Sequence, residues 1–120
     1  MDRAKIGSDA EQQAEQFLKD QGLKLIARNS RSRFGEIDLI MQANSTLVFI
    51  EVRKRTHREY GGAAASVDFR KQRKLILTAR FWLASNNRYQ NHNCRFDVIA
   101  IESNGEIPRC IWYKDAFRPE

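Results

Sequence analysis

Apolar residues at intervals of three and four positions predict two helices in this chain. The first covers residues 8–21 and is followed by Gly22, a residue type that commonly ends helices. The second helix, which is longer, covers residues 67–86. The apolar sides are expected to consist of Ala10, Ala14, Phe17 and Leu18 in the first helix, and of Phe69, Ile76, Ala79 and Leu83 in the second.

Five segments rich in β-branched and aromatic residues predict five strands. They cover residues 23–29, 34–42, 47–54, 94–102 and 107–113. Asn104-Gly105 marks a tight turn before the last strand, and Pro108 favours an edge position for that strand. The order is α-β-β-β-α-β-β, and the second helix has the length of a crossover between parallel strands. We therefore predict an α/β fold in which helices pack against a mixed central sheet.

Length and composition narrow the kind of protein. The chain has 120 residues, a formal net charge of +6 and a pI near 9.7. Its length predicts a single domain over residues 1–120. The sequence has no long apolar run and no apolar segment near the N-terminus, which predicts a cytoplasmic protein outside the membrane. Cys94 and Cys110 are expected to be reduced, buried thiols. The basic charge favours polyanionic partners, chiefly nucleic acid.

The second and third strands form a hairpin whose register follows from its apolar residues. A turn centred on Asn44-Ser45 places apolar residues opposite one another on a single face. The predicted pairs on that face are Ile37 with Val52, Leu39 with Ile50, and Met41 with Val48. On the other face, the same register places Asp38 opposite Glu51 and Glu36 opposite Arg53.

Two carboxylates that face each other on a half-buried surface repel, and a stable protein must offset that repulsion. A divalent cation is one solution, because Mg²⁺ favours one or two carboxylates together with waters and phosphate oxygens. The other solution is separate neutralisation of Asp38 and Glu51 by arginines. An ion pair of Glu36 with Arg53 across the hairpin would likewise give Arg53 a structural role. The hairpin has the pattern of half a metal site, and spacing alone leaves both solutions open.

Several motifs resemble the YraN family of small bacterial proteins, which belongs to the restriction-endonuclease-like, or PD-(D/E)xK, superfamily. The resemblance covers nearly the whole chain. It rests on G-x-x-x-E-x-x-A-x-x-F-L at residues 7–18, ARNSR at 27–31, GEIDLI at 35–40, FIEVRKR at 49–55, Val67-x-x-x-Lys71-x-x-Lys74, RFDVIAI at 95–101 and DAF at 115–117.

The resemblance implies a three-layer α/β/α fold and a nuclease site similar to that of Holliday-junction resolvase-type nucleases. Asp38 and Glu51 would bind Mg²⁺ or Mn²⁺ with help from Glu11, and Arg53 would complete the catalytic set. The family pattern has lysine where this chain has Arg53. Arginine stays protonated, so it cannot act as a general base, although it can contact a phosphate. Lys71, on the second helix, is a candidate substitute.

Other acidic residues have structural interpretations. The segment Ser8-Asp9-Ala10-Glu11 fits a capping box, in which Glu11 would bond to the backbone amide at the start of the helix. Glu15, one turn later, is expected to be solvated. Asp97 is expected to form an ion pair with Arg95 or another basic residue, rather than a distant second acidic site.

Basic residues cluster in sequence near the acidic pair and at the start of the second helix. In the expected fold they rim one cleft and are placed to contact phosphates. An ordinary solvated helix face is the alternative for the helical group. The predicted nucleic-acid-binding residues are Arg31, Arg33, Lys54, Arg55, Arg58, Arg70, Lys71 and Lys74.

Three functions are compatible with these features. The first is a metal-dependent endonuclease that hydrolyses phosphodiesters in DNA, including branched or damaged DNA. The second is a nucleic-acid-binding module that has lost turnover because arginine replaces lysine at position 53. The third is an interaction protein that binds neither metal nor nucleic acid. A homodimer is expected only by analogy with resolvase-like nucleases.

Overall fold

The computed structural model describes residues 3–56, 67–103 and 107–119, and these form two α-helices, a short 3₁₀-helix at Asn87–Tyr89 and five strands. The helices are α1, Arg3–Asp20, and α2, Phe69–Ala84. The strands are β1 Lys24–Ser32, β2 Gly35–Ala43, β3 Thr46–Thr56, β4 Asn93–Ser103 and β5 Arg109–Phe117. The predicted order is confirmed, while the turn predicted at Asn104-Gly105 lies outside the described residues. Neither of the two helices is long and apolar enough to cross a membrane.

The five strands form one mixed sheet in the order β1-β2-β3-β4-β5. Neighbouring strands are antiparallel except for β3 and β4, which run parallel because α2 carries the chain back across the sheet. The parallel ladder is continuous from Thr46–Asn93 to Thr56–Ser103. β5 lies at an edge of the sheet, as predicted, and β3 occupies the centre.

Helix α1 covers one face of the sheet. Ala14 and Leu18 are fully buried and pack with the β2 residue Leu39. The helix ends in a Schellman motif, in which Gly22 has a φ of +97° and the Leu23 N–H donates to the Leu18 carbonyl. The left-handed conformation at Gly22 explains why a glycine stands at this position, and the predicted helix end is confirmed.

The start of α1 differs from the prediction. The helix begins at Arg3, so Ser8 lies inside it, and the capping box predicted at Ser8 and Glu11 is wrong. No proline interrupts residues 3–8, so the helix extends backwards past the capping signal. The Glu11 side chain instead accepts a hydrogen bond from Asn29 at 2.7 Å.

Helix α2 covers the opposite face, which makes the fold a three-layer α/β/α sandwich. Its apolar buried side consists of Leu75, Ala79 and Trp82. The prediction that Phe69 faces the core is wrong, because its side chain is 76% exposed. The reason is the indole ring of Trp82, which packs edge-to-face on Phe49 with ring centroids 6.1 Å apart. That large contact selects the side of the helix that faces the sheet.

The predicted hairpin register is confirmed from the turn to the pair Leu39–Ile50. Beyond that pair it fails, because Ile37 packs with Ile40 on the α2 side of the sheet, whereas Leu39 packs on the α1 side. Two residues three positions apart do not share a face in a regular strand. Strand β2 is therefore irregular between Ile37 and Ile40, where Asp38 lies.

Both cysteines are free thiols, as predicted. Cys94 is exposed at the start of β4, and Cys110 is half-buried in β5. The prediction of a buried thiol is therefore wrong for Cys94, because this residue lies next to the strand end rather than beneath a helix.

The ion pair predicted between Asp97 and Arg95 is confirmed, and it is part of a larger buried network. Asp97 is 1% exposed, and Arg95 Nε lies 3.1 Å from its Oδ1. The Trp112 indole N–H donates to Oδ2 at 2.8 Å, and the Asp115 backbone N–H donates to Oδ1 at 2.9 Å. Asp115 has a φ of +52° where the β4–β5 register shifts. The Asp97 carboxylate therefore holds an irregular edge strand on the sheet.

We expect Asp97→Asn to lower the free energy of unfolding by about 2–4 kcal/mol, because an amide nitrogen would face buried donors and Arg95 would lose its counter-charge. Urea denaturation measures this loss. Glu102→Gln is the matched control: Arg109 lies 3.5 Å from its partly exposed carboxylate, and the expected loss is below about 1 kcal/mol. Equal losses in the two variants would contradict the structural role of Asp97.

Candidate acidic site between strands β2 and β3

The β2–β3 ladder stops at the pair Leu39–Ile50, where a side chain takes over a backbone hydrogen bond. Asp38 Oδ2 accepts from the Val52 backbone N–H at 2.8 Å. Within the described part of these strands the ladder does not continue past this point, so the predicted pair of Ile37 with Val52 does not form. The Asp38 carboxyl group therefore reaches the β3 backbone where the ladder stops.

Asp38 and Glu51 form a buried acidic pair, which is the centre of the candidate site. Glu51 is 5% exposed and Asp38 is half-buried. Burial, the negative charge of Glu51 and a hydrogen bond between the two side chains raise the pKa of Asp38 to about 8, although the Val52 N–H acts to lower it. Asp38 therefore keeps its proton at neutral pH.

Two cationic side chains approach Glu51 from different elements. Lys71 Nζ, in the first turn of α2, lies 3.2 Å from Glu51 Oε2, and Arg53 Nη1 lies 3.6 Å from the same oxygen. The first turn of α2 is fixed by Asp68, whose side chain accepts from the Lys71 backbone N–H at 2.8 Å. The resemblance predicts a lysine at position 53. In this chain an ammonium group approaches Glu51 from Lys71 on α2 instead.

Glu11 lies near the acidic pair, on α1. Its negative charge also raises the pKa of Asp38, more weakly than the charge of Glu51 does. The side-chain amide of Asn29, in β1, donates to Glu11 Oε1 at 2.7 Å, and Asn29 has a φ of +50°. Asn29 has no role predicted from the sequence, although it lies in the ARNSR motif at residues 27–31. Asparagine tolerates this left-handed conformation better than most residue types.

A second acidic residue of α1 has the opposite electrostatic environment. Glu15 is 6% exposed, so the prediction that it is solvated is wrong. Arg28 donates from Nε and Nη2 to its two oxygens at 2.6 and 2.9 Å, and Lys19 Nζ lies 2.8 Å away. The hydrogen bonds from Arg28 are the main cause that lowers the pKa of Glu15 to about 2. Glu15 is therefore an ionised structural residue.

The predicted nucleic-acid-binding residues lie in several places. Arg31 Nε lies 3.5 Å from Glu36, and the guanidinium of Arg33 lies 4.9 Å from the centre of the Phe34 ring. The exposed members on β3 and α2 are Lys54, Arg70 and Lys74. The side chain of Arg55, and Arg58 as a whole, lie outside the described residues. In the described part of the chain, Lys71 is the member of this group that contacts the acidic pair.

The number of carboxylates in the acidic pair limits the kind of metal site that it could form. No group of three His, Cys, Asp or Glu side chains within residues 3–56, 67–103 and 107–119 is arranged to hold a metal ion. Mg²⁺ commonly uses one or two carboxylates and completes its octahedron with water and substrate phosphate oxygens. Asp38 and Glu51 could supply the two carboxylates of such a site, with the remaining ligands coming from water and substrate.

Comparison with known proteins places the chain in a family. The family model described as "Uncharacterised protein family UPF0102" matches residues 10–101, a range that contains Glu11, the acidic pair and Lys71. The chain belongs to UPF0102. This finding confirms the assignment to the YraN family that the motifs predicted.

Relatives within UPF0102 match along almost their whole length. A UPF0102 protein of Methylobacillus flagellatus is 50% identical over 112 residues, which cover 93% of this chain and 96% of the relative. A UPF0102 protein of Pseudomonas syringae is 49% identical over 116 residues, with 96% and 94% covered. A UPF0102 protein of Pseudomonas fluorescens is 47% identical over 112 residues, with 92% and 91% covered. The similarity therefore extends over the sheet and both helices.

The raised pKa of Asp38 makes the stability of this UPF0102 protein depend on pH. The pKa is about 8 in the folded state against an ordinary value of 3.8, so the folded state binds more protons than the unfolded state between these values. The free energy of unfolding should therefore fall as the pH rises from about 4 to about 8. The fall should be smaller in Asp38→Asn, which cannot ionise.

Urea denaturation in buffer with a metal chelator, at several values between about pH 5 and about pH 8, measures the difference. Glu36→Gln, which removes a more exposed carboxylate from the same strand, should follow the wild type. If Asp38→Asn and the wild type lose stability in parallel over this range, the proton does not reside on the pair.

Proposed function

We propose that this protein is a metal-dependent nuclease that hydrolyses phosphodiester bonds in nucleic acid, with DNA as the expected substrate. The observation that carries the proposal is the buried Asp38–Glu51 pair with Lys71 Nζ 3.2 Å from Glu51 Oε2. Two acids and one ammonium group at a single point are the functional groups that the PD-(D/E)xK resemblance implies.

The electrostatics of the pair support cation binding. A buried carboxyl group with a strongly raised pKa is unfavourable for stability once it ionises, and such groups concentrate at functional sites. Either a proton or a divalent cation offsets the repulsion between Asp38 and Glu51. A bound Mg²⁺ or Mn²⁺ supplies Lewis acidity that activates water and stabilises charge on a phosphate. Glu11 is near enough to influence Asp38 and can assist through a water molecule.

Lys71 and Arg53 have separable roles in this proposal. Lys71 carries an ammonium group with three N–H donors, so it can orient the attacking water beside Glu51. Arg53 remains a cation and contributes a fixed positive charge to a phosphate oxygen as negative charge develops there. The basic residues on α2 and at the end of β3 then contact the flanking phosphates.

Arginine at position 53 favours a second candidate function, a nucleic-acid-binding module without turnover. Arg53 Nη1 lies 3.6 Å from Glu51 Oε2, where its positive charge helps to neutralise the pair without a bound metal ion. In that case the site keeps its positive surface and its structural role, and the protein binds nucleic acid in a salt-dependent way with no cleavage.

The main test is cleavage of single-stranded, duplex and branched DNA in the presence of Mg²⁺ or Mn²⁺. We expect Asp38→Asn and Glu51→Gln each to lower the rate at least about 100-fold, because each removes a carboxylate from the proposed cation site. Glu102→Gln, in β4, is the control and should cleave normally. Cleavage that survives in both site variants would overturn the proposal, and salt-sensitive binding without any cleavage would favour the binding module.

The role of Lys71 has its own test. Lys71→Ala should lower the cleavage rate about 100-fold with little change in DNA affinity, because one ammonium group is lost from the reacting centre. Lys74→Ala, an exposed lysine of the same helix, is the matched control and should affect affinity only. A Lys71→Ala protein that cleaves as fast as Lys74→Ala would show that the helix does not supply the ammonium group.

The identity of residue 53 gives a gain-of-function test. Arg53→Lys should raise metal-dependent cleavage several-fold, because it introduces a second group able to orient or deprotonate water at Glu51. Arg109→Lys makes the same chemical change on β5, at an exposed arginine that pairs with Glu102, and should leave the rate unaltered. An unchanged rate in Arg53→Lys would argue against a catalytic role for this position.

A further inference from the structure

A groove along one flank of α2 is separate from the acidic pair. It has a volume of about 360 Å³ and lies between the helix and the segment that follows β5. Its lining combines an aromatic ring, aliphatic side chains and guanidinium groups. The main lining residues are Phe69, Arg73, Ile76, Leu77, Arg80 and Pro119, and we refer to this feature as the α2 groove.

Phe69 is the unusual residue of the α2 groove. Its side chain is 76% exposed although it lies in the first turn of a helix that packs on the sheet. The first turn is fixed by the Asp68 cap, so the ring is presented from a rigid position. An exposed aromatic ring on a rigid element is a stacking surface for another planar group.

The charges of the groove select an anionic partner. Helix α2 contains five basic residues and no acidic residue. Within the described residues, Arg73 and Arg80 have no ion pair, and both line the groove. A nucleic-acid strand has both groups that such a lining can bind. Its bases are planar rings that can stack on Phe69, and its phosphates are regularly spaced negative charges for the two guanidinium groups.

The groove is close to the acidic pair along the helix but lies on another side of it. Consecutive helical residues are separated by about 100° around the axis and about 1.5 Å along it. Phe69 is therefore roughly opposite Lys71 around the first turn, and the exposed Arg70 lies between them. A strand that leaves the phosphate beside Lys71 can pass Arg70 and enter the α2 groove at Phe69.

We infer that the α2 groove binds a single-stranded segment of nucleic acid, with an unstacked base on Phe69 and phosphates on Arg73 and Arg80. This inference rests on the proposed function and narrows its substrate to nucleic acid with an unpaired region. Paired bases in a duplex are stacked on one another, so their faces are not available to an aromatic side chain. A duplex would contact the arginines alone.

The test is binding of a fluorescent oligothymidylate of about 12 nucleotides, a length within the range of single-strand binding sites, in a buffer that contains a metal chelator so that no strand is cut. Phe69→Ala should weaken this binding at least about fivefold, because the ring loses a stacked base. It should leave binding of a duplex and of an abasic oligomer of equal length unchanged. An oligouridylate of the same length should behave like the oligothymidylate if the sugar is not recognised.

Phe81→Ala is the matched control. Phe81 is on the same helix and is 52% exposed, but it does not line the groove. Both substitutions remove an exposed ring, and equal melting temperatures of the two variants check that each is folded. Equal affinities of Phe69→Ala and Phe81→Ala for oligothymidylate would overturn the inference, as would an equal loss on the abasic oligomer.

The arginines are tested by salt dependence. Neutralising two phosphate contacts to a single strand should lower the slope of log affinity against log salt concentration by about 1.4. We expect this change in Arg73→Gln/Arg80→Gln. The double variant Arg88→Gln/Arg109→Gln removes two exposed arginines from outside the groove and should keep the wild-type slope. The same slope in both double variants would overturn the phosphate contacts.

The failure of this inference can be told apart from the failure of the proposed function. If the wild-type protein cuts DNA but its binding of oligothymidylate does not depend on Phe69, the proposed nuclease function stands. The inference about the α2 groove then fails. If the protein binds oligothymidylate through Phe69 but cuts no substrate, the inference about the α2 groove stands. The nuclease function then fails in favour of the binding module.

Discussion

The hydrogen bond from the Val52 N–H to the Asp38 carboxyl group is the contact on which the site depends. A backbone N–H in the interior needs an acceptor, and in a regular hairpin the neighbouring strand provides it. Here a side chain provides it instead, so the ladder stops and Ile37 moves to the other side of the sheet. The same side chain is thereby held against Glu51. The interruption of the sheet and the meeting of the two acids thus have one cause.

Asp38 and Glu15 carry the same functional group and have different chemistry within one protein. Glu15 meets two nitrogens of Arg28 and is held ionised, with a pKa lowered to about 2. Asp38 meets another acid and has a pKa raised to about 8. The first carboxylate has the partners that it needs within the protein. The second accepts a hydrogen bond from the Val52 N–H but faces another carboxyl group, and this is where the proposed cation would bind.

Features that depend on residues close together in the chain could be predicted from the sequence. The order of the elements, the hairpin register near its turn and the end of α1 at Gly22 follow from periodicity and turn chemistry. The rotation of α2 was not predictable, because it depends on the contact of Trp82 with Phe49 across the sheet. The approach of Lys71 to Glu51 and of Asn29 to Glu11 depends in the same way on how helices dock. The acids were therefore found from the sequence, whereas most of the groups around them required the three-dimensional structure.

The parallel pairing of β3 with β4 also has a kinetic consequence. The β2–β3 hairpin closes through contacts that are near in sequence, whereas β4 cannot dock until the crossover helix is in place. Asp38 and Glu51 therefore meet early, while water still surrounds them and before Lys71 arrives.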